Sequence, residues 1–396
     1  MFWKRSRIYM DAAAATPLSP EVYTRFIEAL TQYGNPGALH TEGVRAKELL
    51  EGARKEAAVA LHAHADEIVF TGSGTESNNL AIFGAVGDVS ADKIHIITSS
   101  IEHPSVLEPI RAFERRGAKV TYLPVDAEGL IALSALKEAI VDETRLISVG
   151  LINSEIGTIQ DVRGIAKIIR DVRKTRVNAA PLLLHLDAAQ APLWLKLNVE
   201  QLHPDLLTLD AQKMMGPKGA GLLYVRRGVS LQAHLLGGGQ ERGLRSGTEN
   251  AAAASALARA LTRAQEVCEK NTANVAEVRD ALFDAIKKQI PEAIVNGSLE
   301  SRVANNCNVS VPGLIGERAV LALSAWGVAA STRSACAAKD QELSHVIRAL
   351  EAGEGGVARA RSAVRFTLLP DATVSDARHA ATLLAKAAAQ FRNIDA

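Results

Sequence analysis

The chain has 396 residues, of which 47% are hydrophobic and 22% are charged, so it can bury a large core and is long enough for two domains. Its 45 basic and 44 acidic side chains nearly cancel, which argues against an electrostatic field that attracts nucleic acid or an anionic membrane. Small molecules and proteins are therefore the expected partners.

The first half of the chain alternates β-like runs with segments of helical periodicity. Seven strands are predicted, at 67–71, 93–99, 119–125, 145–153, 181–187, 205–210 and 220–226. Because strands that alternate with helices form βαβ units, this pattern predicts an α/β fold with a mainly parallel, doubly wound, seven-stranded sheet.

The second half of the chain lacks this regular alternation of strands and helices. A long helix is predicted from about Ser246 to about Lys287, and shorter β-like pieces follow at 305–313 and 362–368. The pattern suggests three parts in chain order: an N-terminal segment 1–16 that packs with the small domain, a large ligand-binding α/β domain 17–255, and a small α+β domain 256–396 that carries a cysteine loop.

The chain contains three cysteines, Cys268, Cys307 and Cys336. They are too few for a disulfide framework and lack metal-ligand spacing, which is typical of a reducing compartment. The N-terminal residues lack the apolar stretch of a signal peptide, and no apolar run is long enough to span a membrane. We therefore expect a cytoplasmic protein without a metal site.

Two polar residues follow predicted strands. Asp187 closes the strand at 181–187, and Lys213 comes shortly after the strand at 205–210. Open α/β sheets bind ligands at the carboxyl ends of their strands. A lysine there can bind an aldehyde, and a carboxylate can keep a pyridine nitrogen protonated, as in enzymes that use pyridoxal 5'-phosphate (PLP). The alternative is a pair of solvated loop residues or a weak surface ion pair.

A turn rich in Gly, Ser and Thr follows the first strand of the sheet and precedes a helix. Gly72 and Gly74 permit close approach of an anion, and the hydroxyls of Ser73 and Thr75 can donate to phosphate oxygens. The alternative is an ordinary turn with a Ser or Thr helix cap.

Three more residues occupy similar positions after strands. His103 can stack on an aromatic cofactor and carry protons, or it can simply cap a helix. Asn153 and Gln190 can hydrogen-bond a phenolic oxygen of a cofactor, or they can bond locally within turns.

Seven motifs together resemble the cysteine desulfurases of the NifS/IscS type, which are class V members of the fold-type I PLP enzymes. The resemblance extends from Asp11 to about Thr373. The motifs are YGNPGALHTEG, FTGSGTESNNLAI, HLDAAQ, GPKGAGLLYV, GGGQERGLRSGTEN, STRSACAA and SHVIRAL.

This resemblance implies removal of sulfur from L-cysteine, with L-alanine as product and a persulfide on Cys336. The sulfur would pass to an iron–sulfur scaffold or a tRNA-thiolation protein. The implied site consists of Lys213 as the covalent PLP ligand, Asp187 at the pyridine nitrogen, Gln190 and Asn153 near the ring oxygen, Gly74, Thr75 and Gln212 at the phosphate, His103 beside the ring, and Arg365 and Asn153 at the substrate. Thr248 matches a position that reaches the phosphate of the neighbouring subunit, which implies a homodimer.

Cys336 indicates the reaction within the family. Small residues precede it and a polar stretch follows, so a loop that can enter and leave the site is expected, whereas Cys268 and Cys307 read as buried small hydrophobes. Its distance from Ser344 is similar to that of desulfurases with the longer loop, which can pass sulfur directly to proteins. The open alternatives are a selenocysteine lyase or another class V enzyme, and a weakly active sulfur-transfer scaffold.

Three residues depart from the family pattern. Gln212 replaces the usual His before the PLP lysine, Asp210 replaces a Ser that donates to the phosphate, and Arg333 replaces a Gly in the cysteine loop. A carboxylate beside a phosphate is unfavourable, so we expect Asp210 to turn outward or to have a compensating partner. Arg333 either stiffens the loop, stabilises the thiolate, contacts an acceptor protein or is simply exposed.

Overall fold

The structure is a computed structural model that describes residues 7–87, 89–176, 181–332 and 343–392. Arg333 and Cys336 lie outside the described residues.

The described residues form the following strands: β1 Ile8–Tyr9, β2 Ile68–Thr71, β3 His95–Ser99, β4 Lys119–Leu123, β5 Thr144–Gly150, β6 Leu183–Asp187, β7 Leu206–Asp210, β8 Gly221–Val225, β9 Ile294–Val295, β10 Asn306–Ser310, β11 Val328–Ala329 and β12 Ala363–Thr367. The α-helices are α1 Pro20–Leu30, α2 Thr41–Leu61, α3 Gly74–Val86, α4 Pro104–Glu114, α5 Leu133–Ala139, α6 Val162–Thr175, α7 Val199–Leu202, α8 Ala251–Gln289, α9 Gly316–Ala325, α10 His345–Ala349, α11 Gly353–Arg361 and α12 Val374–Phe391.

The seven predicted strands form one sheet, in the order β2-β8-β7-β6-β5-β3-β4. β8 is antiparallel to both of its neighbours, and all other pairs are parallel. The predicted mainly parallel, seven-stranded α/β sheet is therefore confirmed. In this arrangement the carboxyl ends of β2, β3, β5, β6 and β7 meet at one edge.

The sheet is buried on both faces, which explains why its strands read as continuous apolar runs. Every residue of β3, β7 and β8 is buried. The polar His185 inside β6 bonds to Ser148 Oγ at 2.8 Å and Thr208 Oγ1 at 3.1 Å. Burial lowers the pKa of His185 to about 4, so this core histidine is neutral at physiological pH.

A second, antiparallel sheet with the order β12-β10-β9 follows the long helix α8. β1 pairs in parallel with β11, and Thr367 N–H donates to Met10 O at 2.8 Å. The described part of the proposed segment 1–16 thus contacts the C-terminal part of the fold. The domain limits themselves stay a prediction.

Helix α8 joins the two parts of the fold. It begins at Ala251, later than the predicted start near Ser246, because Asn250 caps it: Asn250 Oδ1 accepts from Ala253 N–H at 3.0 Å. The proposed limit between residues 255 and 256 lies inside this helix. Its many buried alanines permit close packing against α1, α2 and α12.

Within the described ranges, no helix is both long and apolar enough to cross a membrane. In the same part of the chain, no group of three or more His, Cys, Asp or Glu side chains is arranged to hold a metal ion.

Candidate active site

A cavity of about 460 Å³ lies at the edge where the carboxyl ends of the parallel strands meet. Residues 13–15 near the N-terminus and His345 of α10 also line it. Ten residues singled out in the sequence lie on its wall: Gly74, Thr75, His103, Asn153, Asp187, Gln190, Asp210, Gln212, Lys213 and Arg365.

One expected site residue of the described chain is not on this wall. Thr248 is exposed and does not line the cavity. Cys336 lies outside the described residues. The described cysteines, Cys268 and Cys307, are fully buried, as expected for small apolar side chains.

A chain of hydrogen bonds connects Asp187 to His103. Asp187 Oδ1 accepts from Ala189 N–H at 3.0 Å, and Oδ2 accepts from Asn78 Nδ2 at 2.8 Å. Asn78 Nδ2 also donates to Ser105 Oγ at 2.8 Å, and Ser105 Oγ lies 2.7 Å from His103 Nδ1. Because both hydrogens of the Asn78 amide are used, Asn78 holds the carboxylate and the serine at fixed positions.

His103 occupies the N-cap position of α4, directly before Pro104. Its Nδ1 accepts from Ser105 N–H at 3.1 Å, so the proton of the neutral ring is on Nε2. Burial is the main cause that lowers the pKa of His103, which favours the neutral ring. His103 therefore both caps a helix and lines the cavity.

Lys213 ends the short 3-10 turn Ala211–Lys213 that follows β7. Its Nζ donates to Ala13 O at 2.7 Å and to Ala14 O at 2.6 Å. Gln190 Nε2 donates to the same Ala13 carbonyl at 3.0 Å. Thr16 fixes this N-terminal segment, because its N–H donates to Gln212 O at 2.8 Å. The lysine amine is thus held by backbone carbonyls from the start of the chain.

Asn153 lines the cavity but bonds mainly to its own loop. Its Oδ1 accepts from Glu155 N–H at 2.9 Å and Ile156 N–H at 3.1 Å, and its Nδ2 donates to Ile101 O at 2.8 Å. The local turn bonding considered as the alternative is present. One hydrogen of Nδ2 is not used in these bonds.

Arg365 is in the middle of β12 and is only 1% exposed. Its Nη1 donates to Ser154 O at 3.0 Å, and its Nη2 forms an ion pair with Asp11 Oδ1 at 2.8 Å. Within the described chain, its buried Nε has no hydrogen-bond partner. An unsatisfied buried guanidinium N–H next to a cavity is suited to bind an anionic group.

Glu102 places a buried carboxyl group on the cavity wall. Ser99 Oγ donates to its Oε1 at 2.5 Å, and Gly150 N–H donates to the same carboxyl group. No cation pairs with it among the ion pairs of the described residues. Burial, with a smaller contribution from the charge of Asp187, raises the pKa of Glu102 to about 8, so it is protonated at neutral pH.

The Gly-rich turn contributes two residues to the cavity. Gly74 and Thr75, the first residues of α3, line the wall. Ser73 instead caps the helix, because its Oγ accepts from Glu76 N–H at 3.1 Å. Helix α3 thus presents its N-terminal backbone to the cavity, where the helix dipole favours an anion.

Asp210 lies against this helix start. It is 7% exposed, and a Cβ atom on Gly74 would lie 3.0 Å from Asp210 Cβ and 3.2 Å from Oδ2. Its Oδ1 accepts from Gln212 N–H at 3.2 Å, and its Oδ2 accepts from Gln212 Nε2 at 3.1 Å. Neither of the two expected outcomes is seen among the described residues: the side chain does not turn outward, and no ion pair compensates its charge. Instead, the two residues that depart from the family pattern next to Lys213 bond to each other.

Sequence reasoning missed three polar residues of the cavity wall, Asn78, Glu102 and Ser105, among others. It also missed Asp11, the ion-pair partner of the cavity residue Arg365. Asn78 follows Gly74 by one helical turn, so helical periodicity in the Gly-rich segment could have identified it. Glu102 and Ser105 flank His103 and its proline. Asp11 carries no local signal, because its partner Arg365 is 354 positions away in the chain.

Comparisons with known proteins agree with this geometry. A profile of the family described as Aminotransferase class-V matches residues 8–378. Cysteine desulfurase IscS from Dictyoglomus turgidum is 37% identical over 391 residues, which cover 98% of this chain and 96% of that relative. A solved NifS-like protein is 31% identical, with a TM-score of 0.88, over 97% of this chain and 100% of that one. SspA, solved in complex with cysteine, is 32% identical, with a TM-score of 0.77, over 92% of this chain and 99% of that one.

Proposed function

We propose a specific activity for this chain, which belongs to the class-V aminotransferase family and, within it, to the cysteine desulfurases. It removes the sulfur atom of L-cysteine, releases L-alanine and holds the sulfur as a persulfide on Cys336. The observation that supports this best is the single cavity that combines Lys213, Asp187 and Arg365. The family resemblance, the fold-type I architecture and the dependence on PLP are confirmed at the level of the family.

The cavity residues fit PLP by their chemistry. Lys213 offers an amine to the aldehyde, Asp187 offers a carboxylate to the pyridine nitrogen, and the start of α3 offers N–H groups to the phosphate. Within the described chain, the buried Asn78 Oδ1 has no hydrogen-bond partner, which is typical of a wall that meets a polar ligand. When bound, PLP supplies an electron sink that stabilises negative charge at the substrate Cα.

Lys213 is assigned the removal of the proton from the substrate Cα, with Nζ as the base. Ala13 O and Ala14 O orient this atom in the structure. Asp187 is assigned as the carboxylate that pairs with the pyridine nitrogen of PLP. Its bonds to Asn78 and Ala189 N–H fix its orientation before the cofactor binds. A site that is organised in advance loses less free energy on binding.

His103 is assigned two roles: its ring stacks on the cofactor ring, and its Nε2 carries a proton. Its neutral state and its fixed tautomer suit both tasks. Gln190 and Asn153 are assigned to the ring oxygen. Each has one amide hydrogen that its bond to a backbone carbonyl does not use.

Arg365 is assigned as the residue that binds the carboxylate of L-cysteine. Its Nε and the remaining hydrogens of Nη1 and Nη2 are available as donors, since Ser154 O and Asp11 each take one. Asp11 holds the guanidinium in place through an ion pair that is largely buried on the arginine side. A planar guanidinium can then bind the substrate through two parallel hydrogen bonds.

The described residues on either side of Cys336 in the chain bond to residues of the cavity wall. Before it, Ser331 N–H donates to Arg365 O at 3.0 Å. After it, Ser344 Oγ donates to Glu155 Oε2 at 2.5 Å, and Glu155 lines the cavity. Cys336 is five positions after Ser331 in the sequence, and a stretch of that length spans at most roughly 18 Å. This reach supports Cys336 as the residue that takes the sulfur.

In the proposed step, the Cys336 thiolate attacks the sulfur of L-cysteine. A bond between the two sulfur atoms forms as the substrate Cβ–S bond breaks. The electron pair of the broken bond stays on carbon, and protonation completes L-alanine. The carbon is reduced while the sulfurs are oxidised to a persulfide, so no external oxidant is needed.

A homodimer is part of this proposal. Tyr23, Ile27 and Leu30 lie on one face of α1 with 55%, 46% and 54% of their surface exposed, and Tyr33 nearby is 84% exposed. Large apolar side chains left in water support an interface with a second copy. Thr248 is exposed and lies outside its own cavity, which supports its assignment to the partner's phosphate site. A chain that sediments only as a monomer at micromolar concentration would contradict this part.

The sulfur acceptor is proposed to be an iron–sulfur scaffold or a tRNA-thiolation protein in the cytoplasm. The support is the family membership and the long spacing between Cys336 and Ser344. Persulfide transfer to each candidate acceptor, followed by mass spectrometry, tests this part.

The central test is incubation of the full chain with PLP and L-cysteine, with L-alanine and sulfide measured together. In the presence of a thiol reductant, equal amounts of both products are expected. Replacing Cys336 by Ser should abolish the release of both products while the visible absorbance of bound PLP remains. Unchanged alanine formation by that variant would refute the role of Cys336.

Cys268 offers a matched control, because it is a cysteine that is buried outside the cavity. Cys268→Ala should retain alanine formation. Alanine formed from selenocysteine but not from cysteine would favour the lyase alternative. A chain that binds no PLP would favour the scaffold alternative.

A further inference from the structure

We propose that Asp210 weakens the hold of this site on the phosphate group of PLP, so that the chain binds its cofactor less tightly than it would with a neutral side chain at this position. This inference rests on the proposed function, because it takes the cavity as the PLP site.

The position of Asp210 places a negative charge where an anion is expected. Its side chain packs against Gly74, the first residue of α3, close enough that even one added methyl group on Gly74 would crowd it. It also lines the same cavity as Gly74 and Thr75. The N-terminus of α3 favours anions, so the carboxylate and an incoming phosphate would both lie at the same positive end of the helix dipole.

The charge of Asp210 is met by neutral donors. Both carboxylate oxygens accept from Gln212, one from its backbone N–H and one from its side-chain amide. None of the ion pairs in the described part of the chain includes Asp210. Lys213 and Lys218 line the same cavity, but Lys213 Nζ donates to the carbonyls of residues 13 and 14. Within the described residues, a phosphate would therefore meet a carboxylate that no ion pair neutralises.

The same pair of residues also removes a donor from the phosphate region. Gln212 Nε2 gives one of its two hydrogens to Asp210, so only the other can reach a ligand. A serine at position 210 could donate its hydroxyl hydrogen to a phosphate oxygen, whereas an ionised aspartate can only accept. Both effects act on the phosphate group alone and leave the ring end of the cavity, at Asp187 and His103, unchanged.

The effect of Asp210 on affinity should appear only for a ligand that carries a phosphate. The test uses pyridoxine 5'-phosphate and pyridoxine, which lack the aldehyde that reacts with Lys213 and differ only in the phosphate. Each is titrated into the full chain after removal of cofactor, and the dissociation constant is measured by calorimetry. In Asp210→Ser, pyridoxine 5'-phosphate should bind at least about tenfold more tightly, and pyridoxine should bind as it does to the unchanged chain.

Two further variants complete the experiment. Asp210→Asn keeps the shape of the side chain and removes its charge, so it should also bind pyridoxine 5'-phosphate more tightly than the unchanged chain. If Asp210→Ser is unstable, Asp210→Asn provides the test in its place. Asp371→Ser removes a negative charge from an exposed position off the cavity wall and should change neither constant.

The binding results distinguish a failure of this inference from a failure of the proposed function. Unchanged or weaker binding of pyridoxine 5'-phosphate in both Asp210 variants overturns the inference and leaves the proposed function intact. An equal gain for both ligands also overturns it, because the effect is then not on the phosphate. If neither the original chain nor any variant binds either ligand, the cavity is not a PLP site, and the proposed function and the inference both fail.

Discussion

The buried carboxyl group of Glu102 should make the folded state less stable as pH rises, and Glu102→Gln should remove that dependence. Glu102 is 5% exposed and has no cationic partner within the described ranges, and burial raises its pKa from 4.5 to about 8. Below pH 4.5 the group is neutral in both folded and unfolded chains. Between pH 4.5 and 8 the unfolded chain loses the proton while the folded chain keeps it, so stability falls across this range.

The size of the effect follows from the pKa. A rise from 4.5 to about 8 disfavours the folded state by roughly 5 kcal/mol above pH 8, at about 1.4 kcal/mol for each pH unit. Glutamine has the shape of the protonated acid. Its Oε1 can accept from Gly150 N–H, and its Nε2 can donate to Ser99 Oγ if the serine hydroxyl rotates from donor to acceptor, so both partners of the neutral group are kept.

The assay is thermal unfolding of the original chain and Glu102→Gln from pH 5 to pH 9. The Tm of the variant minus that of the original chain should increase with pH by several degrees, because each kcal/mol moves the Tm of a large domain by about 2 °C. Other titrating groups, such as the buried His185, contribute equally to both proteins and cancel in the difference. Glu108→Gln, at an exposed position of α4, is the control and should show no such increase. A difference for Glu102→Gln that is flat or decreases with pH would refute the reasoning.

Three further predictions concern the site. Gly74→Ala should lower PLP occupancy several-fold, because its new Cβ would lie 3.0 Å from Asp210 Cβ; full occupancy by visible absorbance would contradict this. Arg365→Lys should raise the KM for L-cysteine by about tenfold or more while kcat changes less, since lysine cannot form two parallel bonds to a carboxylate; an unchanged KM argues against carboxylate binding there. Ser344→Ala should reduce the free energy of unfolding by about 1–3 kcal/mol, because Glu155 loses a buried hydrogen bond, and should slow sulfide release without changing PLP absorbance. Equal stability in a denaturation series would show that this bond contributes nothing.

The parts of the site that sequence could identify are those placed by local structure. Asp187 ends one strand that reads as an apolar run and Lys213 follows another, while Gly74 and Thr75 begin a helix shortly after a strand. In a mainly parallel sheet, such positions meet at one edge. Their convergence around one cavity therefore follows from the order of strands and helices along the chain.

The sequence shows that Asp210 brings a charge close to the phosphate region, but it does not show which way the side chain points. Its identity signals a charge near the phosphate region, yet the direction of the side chain depends on Gly74 packed against it and on the hydrogen bonds from Gln212. Glu102 is similar. Nothing in its neighbouring residues reveals that it is buried, because the groups that act on it include Gly150 and Asp187, which are distant in the chain.

The sequence by itself determined the α/β class, the seven strands, and the positions of Lys213 and Asp187 at strand ends, because apolar periodicity and turn residues act over short stretches of chain. Tertiary structure alone decided which distant groups meet: Ala13 O with Lys213, Asn78 with Asp187, and Asp11 with Arg365. These pairs are 200, 109 and 354 positions apart. Their contacts depend on how β-strands are ordered and how the N-terminal segment folds back over the sheet, which no local pattern encodes.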